Sequence, residues 1–303
     1  MSNAPNSFDT SGRPQFRLGC QTITWDNERS EKRDYTVEAV AKAGYEGLEI
    51  GARFLDLDNP RGFKDVLDRH GVQLVALHTG WHPFLDQESP ENVSEVDQAI
   101  AFAAEIGVPF LVMSGNEKKQ AEDIESVAGL NDIGRKCREN GVTFCYHNHW
   151  WEIRDHGRLL AEIARRTDPA LVSFCPDIGW VRKATPNVID MLRVIESRIR
   201  MVHFKDYVAD GLEPKDNETE FGQGIMDFDE AFTFLRGLDL DELWVVAEQW
   251  KSSVHHLPPE ESIRANAEFL STFSECHKPT PANSEFFSAT ERTETCQTRI
   301  PLV

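Results

Sequence analysis

Eight short apolar runs, each followed by a segment of helical spacing, account for nearly everything between Phe16 and Phe273. The runs cover residues 16–25, 47–51, 72–77, 110–113, 142–146, 171–175, 199–204 and 243–247. The helical segments cover residues 35–43, 63–70, 91–106, 124–140, 159–166, 188–196, 228–235 and 262–273. Glycines at 44, 71, 107 and 141 stand where the first four of these helices stop, as expected of a residue free to turn left-handed at a helix end. Apolar runs that alternate with amphipathic helices predict a parallel sheet covered by helices. Eight such units in roughly 260 residues predict an α/β chain folded as a single closed (β/α)8 barrel, rather than an open doubly wound sheet.

Composition adds few constraints. The formal net charge of -19 disfavours nucleic acid and anionic lipid as partners. The six cysteines contain no C-x-x-C pair, and Cys145 and Cys175 fall inside apolar runs, which fits buried thiols in a reducing, cytoplasmic setting. Residues 1–14 lack the apolar stretch of a secretory signal. No apolar run approaches the roughly 18 residues of a membrane helix. Residues 1–15 read as a flexible lead, 16–277 as the barrel, and 278–303 as a disordered tail rich in Pro, Ser, Thr and Glu.

In a barrel, the C-terminal ends of the strands form the mouth where chemistry is done. The fifth run ends in Tyr146-His147-Asn148-His149, and strand alternation puts both histidines on one face. Asp177 follows the sixth run, His203, Lys205 and Asp206 belong to the seventh, and Glu248 ends the eighth. Singly, each has a plain structural use: Asp177 can cap a helix, His203 can be a hydrogen-bonded core residue, and Glu248 can pair with Lys205. Together, His147, Asp177, His203 and Glu248 offer two nitrogens and two carboxylates to one divalent metal. Mn²⁺ or Co²⁺ is expected first, with Mg²⁺, Fe²⁺ or Zn²⁺ as alternatives. Gln21, Trp25, Glu49, His78, Asn116 and Trp180 are expected to bind substrate, since amides, carboxylates and flat rings suit a sugar or cyclitol. Gly222-x-Gly224 lacks the third glycine of a dinucleotide fingerprint.

These motifs resemble those of the xylose-isomerase-like TIM barrel superfamily of sugar phosphate isomerases and epimerases, which includes endonuclease IV and inosose dehydratase. Pro176-Asp177-Ile178-Gly179-Trp180 is similar to its Asp-x-Gly-Trp/His turn. Val202-His203-Phe204-Lys205-Asp206 is similar to its Val-His-Leu-Lys-Asp strand. Gly222 to Phe228 resembles its Gly-x-Gly-x-x-Asp-Phe segment. In that superfamily the last four strands usually supply Glu, Asp, His and Glu to the metal. His147 stands where the epimerases have the first glutamate, and Tyr-His-Asn-His resembles instead the Tyr-His-His-His of inosose dehydratase.

The resemblance implies a metal-dependent isomerase, epimerase or dehydratase acting on a keto-sugar or keto-cyclitol. The reaction would begin with proton removal beside a metal-held carbonyl. Glu248 is expected as the base, with Glu152 and His149 as further candidates. Lys205 is expected to act as an acid or to hold a substrate oxygen. An endonuclease-IV-like phosphodiesterase and a non-catalytic sugar-binding barrel are the alternatives, the first disfavoured by the acidic charge. A small-molecule partner is expected, with no nucleic acid and no membrane, and a homo-oligomer is left open. Removing residues 1–15 and 278–303 should leave the melting temperature nearly unchanged; a large drop in a thermal melt contradicts these domain limits.

Overall fold

The computed structural model describes residues 14–25, 33–80, 90–115, 127, 129–210, 217–250 and 257–274. The expected lead and tail fall almost wholly outside them, as do Asn116, Cys276 and Cys296. The strands are β1 (Gln15–Gln21), β2 (Gly47–Gly51), β3 (Gln73–Thr79), β4 (Phe110–Ser114), β5 (Thr143–His147), β6 (Ser173–Phe174), β7 (Met201–Phe204), β8 (Asp206–Tyr207), β9 (Glu218–Thr219) and β10 (Glu242–Ala247). Eight of them form one parallel sheet in the order β6-β5-β4-β3-β2-β1-β10-β7. Its two edges meet through parallel bridges Phe174↔Ile199 and Asp177↔His203. The His203 N–H donates to the Pro176 carbonyl at 2.9 Å, and the Arg200 N–H to the Phe174 carbonyl at 3.1 Å. The chain is therefore the (β/α)8 barrel that the sequence predicts, closed at a narrow seam.

The helices are α1 (Arg33–Lys42), α2 (Pro60–His70), α3 (Pro90–Ile106), α4 (Gly129–Glu139), α5 (Trp150–Arg166), α6 (Ile178–Ala184), α7 (Val188–Arg193), α8 (Phe228–Leu235) and α9 (Pro259–Ser274). Three differences from the sequence reading bear on the site. The first strand stops at Gln21, and Thr22–Trp25 turns into a 3-10 helix. Helix α5 begins at Trp150, not near Leu159, but its backbone leaves the helical region between Arg154 and Gly157. Asp155 and His156 have φ of 54° and 58° there, a left-handed conformation that costs non-glycine residues energy, so hydrophobic spacing shows only in the second half. Helix α6 starts directly after Asp177, whose carboxylate accepts the Trp180 N–H at 2.9 Å, the N-cap bond that seven residues with little apolar spacing need.

Strand alternation sorts the side chains into two apolar layers. Phe144, Tyr146, Phe174, Val202, Phe204, Val245 and Ala247 point outward and pack under the helices. Cys145, Cys175, Met201, Trp244 and Val246 point inward with Val75, Ala76 and Val112, and fill the barrel. Trp244 plugs the lower end, with the Arg17 guanidinium 4.1 Å from its ring centre. Gly47 makes room for this plug. A Cβ there would lie 2.3 Å from Val75 Cγ2 and 2.8 Å from the Trp244 ring. Gly47→Ala should therefore overpack the interior and lose about 1–3 kcal/mol in urea unfolding; an unchanged midpoint would show that the barrel floor is looser than described.

Candidate active site

One step along each strand above the inward apolar layer, the same alternation presents polar groups. Glu49 follows Gly47 on β2, Ser114 follows Val112 on β4, and His147 follows Cys145 on β5. Asp177 follows Cys175, His203 follows Met201, and Glu248 follows Val246. With His78 and Lys205 these groups form one connected chain. His78 Nδ1 meets Glu49 at 2.8 Å, and its Nε2 meets Ser114 Oγ at 2.7 Å. The other Glu49 oxygen meets His203 Nε2 at 2.7 Å. His203 Nδ1 lies 2.7 Å from Glu248. Lys205 Nζ lies 2.6 Å from both Glu248 Oε1 and Asp177 Oδ2. His147 Nε2 stands 3.8 Å from that same Asp177 oxygen.

Burial and pairing set the charges. Burial works to raise the Glu49 carboxyl, but His203 and His78 overcome it and hold it at about 2. Burial likewise opposes the charge on Glu248, yet Lys205 and His203 hold that carboxyl well below the usual range. Burial opposes the protonated forms of His203 and Lys205, but Cys175 and Glu49 outweigh it at His203, and Asp177 and Glu248 at Lys205, so both are held above their usual values. Asp177 is pushed upward by its own burial, against the pull of Lys205. His147 is driven the other way: burial, then the His203 charge, hold it well below the usual histidine value and therefore neutral. Burial and Lys205 put His149 at about 3, so it too is neutral near pH 7.

Above this layer opens a cavity of about 610 Å³. Its walls include Gln21, His78, His147, His149 and Glu248 from the expected set, together with Ser114, Arg53, Phe54, Trp151 and Trp250. His149 lies flat on Trp151, ring centres 4.3 Å apart, and its Nδ1 is buried without a hydrogen-bond partner. Gln21 anchors the turn after β1 by accepting the Ile23 N–H at 2.5 Å.

Other expected residues are placed elsewhere. Trp25 does not wall the cavity: it is packed in the core with its indole N–H donating to Glu260 at 3.2 Å. Its place follows from the 3-10 turn, which carries it off the strand axis. Glu49 lies beneath the cavity as a carboxylate link between two histidines. Trp180 stands behind His149, ring centres 6.0 Å apart. Lys205 is sealed between two carboxylates and reaches no cavity wall. Glu152 also faces away: one oxygen accepts from Tyr146 Oη at 2.6 Å and the other from the His149 N–H at 2.9 Å. It is not among the residues that line the cavity. The sequence could have flagged Ser114, which is in phase with Val112 on β4. Trp151 could not be chosen over Trp150 without knowing where α5 starts.

Three of the four expected metal ligands converge. One ligand atom each from His147, Asp177 and Glu248 lies within 4.8 Å of the others, all buried. His203 stands beside them, its two ring nitrogens 2.7 Å from Glu248 and from Glu49. His147, Cys175 and His203 form a second such grouping. Burial pushes the Cys175 thiol up to about 11, which keeps it a neutral member of the apolar layer. The neutral His147, with a buried Nδ1 that has no partner, and two carboxylates are a donor set that a divalent cation fits.

Comparison with known proteins gives the same fold. Residues 37–273 match the family model described as xylose isomerase-like TIM barrel. An inosose dehydratase from Mesomycoplasma hyopneumoniae is 24% identical over 233 residues, 69% of this chain and 76% of that protein. A sugar phosphate isomerase/epimerase from Parabacteroides distasonis superposes with a TM-score of 0.64 at 20% identity, covering 90% of this chain and 98% of the other. The IolI protein with a bound zinc atom superposes with a TM-score of 0.67 at 16% identity, covering 87% and 100%.

The place of Glu152 yields a pH test. Burial raises its carboxyl to about 7. A raised carboxyl favours the protonated folded state, so its contribution is full below about 4.5 and is lost as pH rises through about 7. Glu152→Gln imitates the protonated group and should remove this loss. Urea unfolding at pH 5 and pH 8 should show the parent losing on the order of 1–3 kcal/mol relative to the variant; parallel curves would place the Glu152 proton elsewhere.

Proposed function

Since the chain belongs to the xylose isomerase-like TIM barrel family, we propose that it is a divalent-metal-dependent enzyme acting on a keto-sugar or keto-cyclitol, and that it removes a proton beside the carbonyl. The observation that carries this reading is the convergence of His147, Asp177 and Glu248 at the floor of a polar cavity. Bound there, a divalent cation supplies Lewis-acid polarisation of a carbonyl. The zinc in the IolI protein and the names of the dehydratase relatives support the same reading.

The protein groups divide the remaining work. Glu248 faces the cavity and keeps its charge, so it can accept a proton from a substrate carbon. Lys205 and His203 fix its two oxygens from below, which sets the direction of that carboxylate. His149 presents a neutral ring at the opposite wall, held by stacking on Trp151 and by Glu152 under its backbone N–H. Such a ring can hold a substrate hydroxyl by a hydrogen bond. Trp151, Trp250 and Phe54 provide apolar faces for the carbon skeleton.

Among the described residues, Glu248 is the one carboxylate on the cavity wall. A reaction with two facing carboxylate bases has no second member here, because His147 replaces one and Glu152 is turned away. Elimination needs only one carboxylate: Glu248 takes the proton from the carbon next to the carbonyl, the β C–O bond breaks, and the departing hydroxyl, held by the neutral His149 ring, takes up the proton that Glu248 removed and leaves as water. A dehydratase is therefore the better reading than an epimerase. The test is solvent deuterium exchange into a keto-cyclitol, with metal content measured in each variant. Glu248→Gln should abolish exchange, and Glu152→Gln should retain it. Exchange that survives the first change and dies with the second moves the base to Glu152 and restores the epimerase reading. Purified protein should hold about one divalent ion per chain, and none after reconstitution would remove the metal from the scheme.

A further inference from the structure

The cations around the site are of two kinds. Lys205 and His203 lie under the floor, each between two carboxylates. Arg53 does not. It is exposed, it lines the cavity wall just above β2, and among the described residues no carboxylate or carbonyl is hydrogen-bonded to its guanidinium. The contact it does make is with the ring of Phe54, 4.5 Å from the guanidinium carbon to the ring centre.

That position is built, not incidental. Arg53 sits in the 3-10 turn Ala52–Phe54, which follows the end of β2 at Gly51. The turn is pinned from behind by the buried Arg33 of α1, whose Nε–H donates to the Phe54 carbonyl at 3.0 Å. Arg33 also lies 5.4 Å from the centre of the Phe54 ring, so one aromatic ring supports both guanidinium groups. On the far side the chain offers Gly80 at the end of β3. A Cβ at that position would be 3.6 Å from Arg53 Nη1, so the guanidinium rests against bare backbone.

The cavity has space for a group that Arg53 could meet. At about 610 Å³ it lies within the roughly 300–1,000 Å³ of pockets that enclose drug-sized ligands, more than a single polyol ring fills. With a net charge of -19, the chain's overall field repels anions. Capturing one then needs a local cation that no protein carboxylate has already neutralised, and among the described residues Arg53 meets that condition on the cavity wall.

We propose that Arg53 binds an anionic substituent, a phosphate or a carboxylate, carried by the keto-polyol whose carbonyl end reaches the floor. This deepens the function proposed above by naming the substrate class, and it rests on that reading for the keto-polyol part. A guanidinium matches the oxygens of either group with two parallel hydrogen bonds. The substrate is thus held at two points: the ring against His78, His147 and His149, and the anion at the β2 side of the mouth. Because Arg53 is exposed, its contribution should weaken as salt rises.

The experiment is calorimetric titration of the full, metal-loaded chain with fructose, fructose 6-phosphate and 2-ketogluconate. It is done on the parent, Arg53→Ala and Arg53→Lys, after circular dichroism shows each variant folded. At least one anionic probe should bind the parent about tenfold tighter than fructose, and the probe that does so distinguishes phosphate from carboxylate. Arg53→Ala should erase the difference and leave fructose affinity within about twofold, while Arg53→Lys should keep part of it. Equal affinities for all three probes in the parent, a preference that survives Arg53→Ala, or no binding of either anion overturns the proposal. Metal content and deuterium exchange are read separately, so those results can fail without touching the anion preference, and the reverse.

Discussion

Glu248 divides its two oxygens between two buried cations, Lys205 and His203, and most of the upper barrel is arranged around that division. Through Lys205 the carboxylate is tied to Asp177 at the closing seam. Through His203 it is tied to Glu49, and through Glu49 to His78 and Ser114. Strands from every part of the ring are joined in one line of charge-assisted contacts. Such a line is costly to bury and costly to break. Removing one member leaves its partners charged and unpaired in a place that water does not reach. The shape of the floor is therefore fixed more firmly than apolar packing alone would fix it.

The seam shows how backbone and chemistry are coupled. Asp177 and His203 are bridge partners across the β6–β7 gap, so closing the barrel and bringing these two side chains together are one event. Asn148 ties the fifth strand to the same place, accepting the Asp177 N–H at 3.2 Å. Gly179 lets α6 lie against the seventh strand, since a Cβ there would stand 2.8 Å from backbone atoms of Lys205. Asp206, next in the chain, accepts the N–H groups of Gly222, Gly224 and Met226. It thereby anchors the segment that leads into α8. The Gly-x-Gly segment and the Lys-Asp pair, separate in the sequence, are thus one piece of structure.

Function follows from which groups the cluster leaves facing the cavity. Among the described residues, His78, the neutral His147 and His149, the charged Glu248 and the exposed Arg53 meet the cavity. Lys205 and Glu152, expected among the reacting groups, lie off the cavity wall, against Glu248 and against the His149 backbone N–H. An active wall with a single carboxylate is a narrower chemical tool than one with two, and it directs the reading toward elimination.

The barrel itself was legible in the sequence because it rests on periodicity. A parallel strand buried on both sides must be apolar, a covering helix must be amphipathic, and eight repeats of that pair have one economical closure. The mouth was legible for the same reason: His147, Asp177, His203 and Glu248 are at one end because the strands all run the same way. Partner choice was not legible. Whether Glu248 meets Lys205 or a substrate depends on distances across the ring between residues far apart in the chain, such as 205 and 248. The burial of Trp25 depended on a strand ending four residues early, and the aim of Glu152 on a helix start that weak apolar spacing concealed. Arg53 carried no signal at all, since a lone arginine in a short turn after a strand reads as ordinary surface. Sequence determined which residues reach the mouth; only the folded ring decided which are spent on one another and which remain for a substrate.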